Sequence, residues 1–327
     1  MMAVIEQTLR RFARRAMATT FEVVVPWDCS NSDQAADAAL NLIDSLEAQL
    51  TVYRTTSEVS RLNRLAVQAA VPVEQRLFEL LQTAQRVSQT TGGAFDITAG
   101  PLIKAWGFFR RQGEMPTDEA MAMALKVVGM DHLHLDSVRR TVRFDQPRVE
   151  INLGSIGKGY AIDRAMERLR RDFGVGSALI HGGTSSVLAL NGPWSVGVQH
   201  PWQPRRLGTV QLKDRGMAST GATHQHFAYN GKKLGHVLDP RTGWPAEGMA
   251  LAVALAATAA EADALSTAFY VMGMEGARRY CQQYPGVSAI LLADEPDGEP
   301  IAINCAEGEW TPAPRDDFYP SSELNDE

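Results

Sequence analysis

The chain has 327 residues, 32 Lys and Arg against 38 Asp and Glu, a formal net charge of −6, and 3 cysteines. That length builds a substantial core in one large domain or two small ones, and the acidic balance argues against a nucleic-acid binder. An odd cysteine count without C-x-x-C spacing makes neither a disulfide framework nor a cysteine zinc site, and no apolar run reaches the roughly 18 residues of a membrane span.

The N-terminus has no apolar stretch or cleavage pattern of an export signal, so the cytoplasm is the expected compartment. Arg10, Arg11, Arg14 and Arg15 read as a solvated first turn. "TTFEVVV" (19–25) predicts a strand from its β-branched content. "NSDQAADAALNLIDSLEAQL" (31–50) predicts a helix with Ser32 as N-cap, because Ala36, Ala39, Leu40, Ile43, Leu46 and Leu50 share one face. Leu77, Leu80, Leu81, Ala84 and Val87 repeat that spacing over 76–90. "GAFDITAGPLIKAWGF" (93–108) reads as a loop punctuated by glycine and proline. Its Phe95, Trp106 and Phe108 either clamp a flat heterocycle, with Asp96 on a polar edge, or pin a surface loop.

"GMDHLHLD" and "TVRFD" predict short strands. "NLGSIGKGYAIDRA" (152–165) is a glycine-rich entry into a helix carried by Ile162, Ala165, Met166, Leu169 and Phe173. Its first N–H groups and Lys158 suit an anion, although the spacing is not that of a P-loop; a tight packing turn is the other reading. Strands follow at "SALIH", "SVLAL", "WSVGVQH" and "LGTVQLK", with Asn191-Gly192-Pro193 expected to join the second and third as a hairpin. "HVLDPRTGWP" brackets His236 between turn residues, where an imidazole can serve as general base near neutrality or simply as structure. Residues 261–273 predict a helix on which Asp263 and Thr267 lie one turn apart, a hard-oxygen pair suited to Mg²⁺ or an ordinary exposed Asp beside a core Thr. "VSAILLA" predicts a last strand, and the tail from about 310 reads as loosely held. Helices and strands mix without a βαβ rhythm, which favours an α+β class.

In their order, "MATTFEV", "YRTTSEVSRLN", "GAFDITAGPLIKAWGF", "NLGSIGKGYAIDR", "ALIHGG", "WSVGVQHP", "STG", "HVLDPRTGWP" and "EADALSTAFYVMG" resemble the FAD:protein FMN transferase family of the ApbE type. The resemblance implies a T-fold-like α+β architecture of two intimately packed subdomains with mostly antiparallel sheets. It divides the chain into an N-terminal extension (1–16), one transferase domain (17–310) and an acidic, Pro-rich tail (311–327). It implies a Mg²⁺-dependent enzyme that cleaves FAD and attaches FMN through a phosphoester to a Ser or Thr of an acceptor flavoprotein, releasing AMP. An acceptor of this type carries a Ser/Thr-Gly-Ala-Thr/Ser motif. FAD hydrolysis to FMN and AMP, or FAD binding without catalysis, are the alternatives.

Carried over by motif, His236 would deprotonate the acceptor hydroxyl. Asp263, Thr267 and the Ser155 carbonyl would hold Mg²⁺. Met17, Tyr53, Ala94, Phe95, Asp96, Asn152, Lys158 and Leu238 would contact FAD. The chain departs from the family at Ala18, where glycine is usual, and at Asn152, where aspartate is usual. Ser266 stands where some members have a metal-supporting aspartate, and Thr223 where an aromatic is common. "TGAT" (220–223) also resembles the acceptor motif itself, which raises self-modification at Thr223.

Overall fold

The protein is described from a computed structural model over residues 8–110, 113–221, 226–229, 232–295, 298–315 and 317. In chain order its strands and helices begin with β1 (Leu9–Ala16), β2 (Thr19–Pro26), α1 (Ser32–Leu50), α2 (Glu58–Leu65), β3 (Val71–Pro72) and α3 (Gln75–Thr90). Then come α4 (Gly100–Ala105), α5 (Asp118–Leu125), β4 (Leu133–Asp136), β5 (Thr141–Phe144), α6 (Gly157–Phe173), β6 (Ala178–Gly182), β7 (Ser186–Leu190), β8 (Trp194–Gln199) and β9 (Arg206–Leu212). The series closes with β10 (Gly216–Thr220), β11 (His226–Tyr229), β12 (Lys232–Gly235), β13 (Met249–Ala256), α7 (Ala259–Gln283), β14 (Ser288–Ala293), β15 (Ile301–Ile303) and β16 (Trp310–Pro312).

An 8-stranded antiparallel sheet, ordered β1-β2-β6-β7-β10-β13-β14-β15, organises the molecule. β13, "MALAVALA", is buried along its whole length because both faces of the sheet are covered. A bulge between Met249 and Leu251 sets its register. Ala252, Ala254 and Ala256 then face a large core shared with α1, α6 and α7. Leu251, Val253 and Leu255 face a second core made with the three-stranded sheet β16-β9-β8. Alanine on the helix side lets α6 and α7 lie close to the strands. A third cluster joins α4 and α5 to Leu234 and Leu238. Among the described residues no helix is long and apolar enough to cross a membrane.

The mixed α+β class with mostly antiparallel sheets is the one expected. Several local expectations change. The arginines at 10–15 lie in β1, an edge strand paired with β2, not in a solvated turn. Arg10 reaches Asp33, Arg11 reaches Glu22 and Arg14 reaches Asp44, so the strand is laced to β2 and α1. Ser32 is the first residue of α1, not its cap; it is buried and accepts a hydrogen bond from Arg10, while Asn31 at φ 58° makes the turn before it. The 93–108 segment is not all loop, because Pro101 sits comfortably in the first turn of the short helix α4. Asn191-Gly192-Pro193 does not close a hairpin. Both edges of β7 are taken by β6 and β10, so the chain crosses to the other sheet, where β8 pairs with β9. The final helix runs on to Gln283, with a left-handed residue, Gly273 at φ 68°, interrupting it. Residues 310–312 are held rather than loose: they add β16 to β9, with Trp310 packed over Gly208.

The β1–β2 turn is made by Met17 at φ 49° and Ala18 at φ 61°. Both lie in the left-handed region, which gives a physical reason for glycine at 18 and a cost for alanine there. Ala18→Gly is expected to stabilise the protein by about 0.5–1 kcal/mol, measured as a higher midpoint in urea with an unchanged m-value.

Candidate active site

Asp263, Thr267, Met17 and the first turn of α6 lie at one end of the main sheet. The register aligns Phe21, Gly182, Ser186, Ala218 and Ala254 in a row across β2, β6, β7, β10 and β13. Beyond that row, on the same side, lie the Met17 turn, the loop at 183–185 and Thr220. Ser219 N donates to Ser185 O at 2.7 Å and ties that loop to β10.

Over this end the first turns of α6 and α7 meet. Gly159 is required there, since a Cβ would come within 2.1 Å of Ala259 O. Each helix sends an aspartate to the start of the other. Asp163 on α6 accepts from Ala259 N at 2.7 Å and Ala260 N at 2.9 Å, satisfying donors at the start of α7. Asp263 on α7 accepts from Gly159 N at 2.9 Å with Oδ2, and from Ser186 Oγ at 2.7 Å with Oδ1. The Gly159 N–H is the donor that a regular turn would give to Ser155 O, so this carbonyl is spared that bond. Asp263 is only 5% exposed, which removes the reading of it as an ordinary surface residue. Ser266 Oγ donates to Asp263 O at 2.9 Å, Thr220 and Ser266 hydroxyls meet at 2.8 Å, and Thr220 and Thr267 hydroxyls at 3.4 Å.

The donor set is all oxygen: one carboxylate, hydroxyls on α7 and β10, and the Ser155 carbonyl. Such a set fits a hard divalent cation that keeps water or phosphate oxygens as its remaining ligands. Among the described residues no group of three or more His, Cys, Asp or Glu side chains forms a metal cluster, so a cation here leans on neutral oxygens and on the ligand it shares. Lys158 stands beside Gly159 in the first turn of α6, half-buried.

The segment from Glu150 to Gly159 links this point to a cleft of about 230 Å³ lined by Asn63, Arg64, Lys104, Phe109, Glu150 and Asn152, among others. Asn63 pins the cleft wall by pairing with both backbone groups of Ile151, at 2.9 and 3.0 Å. Lys104 is paired with Glu150 and lies over the Phe109 ring. Tyr53, 68% exposed, sits 4.8 Å from Phe109 centroid to centroid and extends this flat wall. Asn152 Oδ1 accepts from Gly154 N at 2.9 Å, so the side chain makes the turn that an aspartate would make, without its charge.

Other expected contacts turn inward. Ala94 and Phe95 are each 1% exposed, and Leu238 belongs to the third core cluster, so the side chains of these three are packed into the protein. Asp96 spends Oδ1 on Thr98 N and Oγ1 and Oδ2 on Met130 N. Burial pushes its carboxyl up, while these bonds oppose the rise. Trp106 and Phe108 are buried and do not present open faces. Trp106 Nε1 donates to Gly243 O at 2.7 Å, and Phe108 meets the His236 ring edge-on at 6.4 Å.

His236 follows β12 directly and leads into a tight turn. Gly243 N donates to Asp239 O at 2.8 Å, with Gly243 at φ 79°. Arg241 holds Asp239 by a two-pronged contact whose hydrogen bond raises the guanidinium above its usual value. The prolines and glycine therefore fasten a loop that carries His236. Thr223 lies outside the described residues.

Comparison with known proteins agrees with this layout. The sequence profile of the ApbE family matches residues 17–291.

The chain belongs to the ApbE family. A FAD:protein FMN transferase of Haemophilus influenzae is 30% identical over 278 residues, covering 80% of each chain. A protein of the same name from Escherichia coli K12 is 29% identical over 295 residues, covering 86% of this chain and 84% of that one. Among solved structures, the ApbE protein of Thermotoga maritima superimposes with a TM-score of 0.82 at 27% identity, over 90% of this chain and 96% of that one. The apo form of the Pseudomonas stutzeri flavinyl transferase ApbE gives 0.79 at 27% identity, over 92% and 96%.

Within this ApbE member, sequence reasoning passed over Ser186, Thr220, Asp163, Gly159 and Asn63 as site residues. Asp163, Gly159 and Asn63 stand inside the quoted motifs, yet only the crossing of α6 and α7 gives the first two their role. Ser186 begins a strand that reads as apolar, and nothing local marks it.

Burial pushes the Asp163 carboxyl up to about 7, the Ala260 and Ala259 N–H groups oppose this, and the negative charge of Asp263 adds to it. A carboxyl raised in the folded state binds its proton more tightly there than when unfolded. Its contribution therefore favours folding increasingly as pH falls from about 7 towards the ordinary aspartate range, and is fully unfavourable above that window. Subtracting the pH profile of thermal unfolding of Asp163→Asn from that of the wild type should leave this slope. A flat difference would remove the shift.

Proposed function

We propose that this protein is a Mg²⁺-dependent FAD:protein FMN transferase that joins FMN to a Ser or Thr hydroxyl of an acceptor flavoprotein and releases AMP. The observation that carries the reading is Asp263. It is a nearly enclosed carboxylate held by Gly159 N–H and Ser186, on a helix turn that also carries the Ser266 and Thr267 hydroxyls. The names of the relatives supply the reaction class.

Tyr53 and Phe109 offer flat surfaces for a heterocycle, and Asn152 presents amide hydrogens to polar edges. Lys158 and the first turn of α6 supply positive potential for the diphosphate. Asp263, Thr267 and the Ser155 carbonyl are the groups that would hold Mg²⁺. When bound, the ion neutralises charge on the diphosphate and on the departing AMP. His236 takes the proton of the acceptor hydroxyl as its oxygen bonds to the FMN phosphorus. The bond from that phosphorus to the bridging oxygen breaks, and AMP leaves with the electron pair. The acceptor carries a Ser/Thr-Gly-Ala-Thr/Ser motif. FAD hydrolysis is the same displacement with water in place of the hydroxyl, and an idle FAD carrier would share the cleft without the chemistry.

One incubation with FAD, Mg²⁺ and an acceptor flavoprotein separates these. AMP with covalent flavin on the acceptor supports transfer; AMP and free FMN alone support hydrolysis; bound, intact FAD supports the carrier. Asp263→Ala is expected to reduce Mg²⁺-dependent AMP release at least about 100-fold, and full activity would remove the metal assignment. His236→Ala is expected to slow transfer by about 10²–10⁴-fold while FAD affinity, read by flavin fluorescence, stays near wild type. A parallel loss of both would recast His236 as a binding residue.

A further inference from the structure

We propose that Thr220 is a further oxygen ligand of the divalent cation, alongside Asp263 and Thr267; the inference rests on the cation reading above. It follows from an account of hydroxyl hydrogens. Ser266 is 1% exposed and its Oγ lies 2.9 Å from Asp263 O, an acceptor with no hydrogen to give. The single Ser266 hydrogen goes there. At the 2.8 Å contact between Ser266 and Thr220, Ser266 then has only lone pairs, so Thr220 is the donor. With its hydrogen turned to Ser266, Thr220 Oγ1 keeps lone pairs for another partner and faces Thr267 Oγ1 at 3.4 Å. Thr267 has Asp263 O within 3.4 Å as the acceptor for its own hydrogen.

Two hydroxyl oxygens thus stand side by side as acceptors, one of them a single helical turn from Asp263. Neighbouring oxygens of an octahedral cation lie about 3.0 Å apart at Mg²⁺ distances and about 3.4 Å apart at Ca²⁺ distances. The spacing here closes on Mg²⁺ or Mn²⁺ with a shift of a few tenths of an ångström. Asp163, the other carboxylate at this crossing, serves the start of α7 through Ala259 N and Ala260 N, whereas Asp263 shares its helix turn with Ser266 and Thr267. Neutral hydroxyls from β10 and α7 thus complete a site with a single well-placed carboxylate.

The test uses Mn²⁺ alone as the probe, on the full chain, reading free Mn²⁺ by electron paramagnetic resonance. Wild type should bind, Thr220→Val should bind at least tenfold more weakly, and Thr220→Ser should stay within about threefold of wild type. Thr220→Cys replaces a hard oxygen by a soft sulfur, so Cd²⁺ should displace Mn²⁺ from it at least tenfold more readily than from wild type. This arm holds even where the valine variant fails to fold. Wild-type affinity in Thr220→Val, or no change of Cd²⁺ preference in the cysteine variant, overturns Thr220 as a ligand and leaves the cation site standing. Absence of Mn²⁺ binding by wild type, or unchanged binding in Asp263→Ala, overturns the cation reading and this inference with it.

Discussion

The exchange of aspartates between α6 and α7 is the constraint on which the rest of the site depends. Each carboxyl answers N–H groups at the start of the opposite helix, and leaving such buried donors unpaired would cost roughly 1–3 kcal/mol apiece. The exchange works only if the two helix starts nearly touch. Gly159 permits that approach, and the alanines of β13 leave room beneath it. Once the helices are locked, Asp263 is held in place, Ser155 O is spared its usual donor, and Lys158 is placed at the same point. The proposed metal chemistry is thus a by-product of how two helices settle their own ends.

The two faces of the main sheet divide the labour. The helix face is packed with small residues and carries the polar machinery at its edge. The opposite face is packed with Leu, Val and Ile against the three-stranded sheet and carries none of the proposed chemistry. His236 arrives by a separate route. The chain leaves the sheet after Thr220, makes the β11–β12 hairpin and returns at His236, where Phe108, just beyond α4, meets its ring edge-on. The proposed base thus sits where two cores meet, with Val237 in the large core that holds α6 and α7 and Leu238 in the cluster of α4 and α5.

Much of this was legible in the residues. α1, α3, α6 and β2 follow periodicity because each buries one stripe or one face, which is the property a pattern records. Asp263 and Thr267 were readable from their one-turn spacing. Local sequence does not record which strand takes which neighbour. Asn191-Gly192-Pro193 has turn chemistry, yet its strands belong to different sheets because β7 was already paired on both edges. Arg10 to Arg15 look solvated until β2 and α1 supply their partners. Asp163 and Thr220 stand in motifs and Ser186 in none, yet the contacts of all three join elements far apart in the chain, which local sequence does not record.

The two ends of the chain finish the two sheets. β1 covers the outer edge of β2, and β16 covers the outer edge of β9, yet both strands fall outside residues 17–291 that the family shares. A protein trimmed to that common stretch would move the edge of the main sheet from the arginine-rich β1 to the apolar β2, move the edge of the small sheet from β16 to β9, and lose part of β14. Exposed edges of this kind recruit other chains. The terminal strand β1 thus gives the main sheet a charged rim in place of an apolar one, a use for a segment that holds no proposed catalytic group.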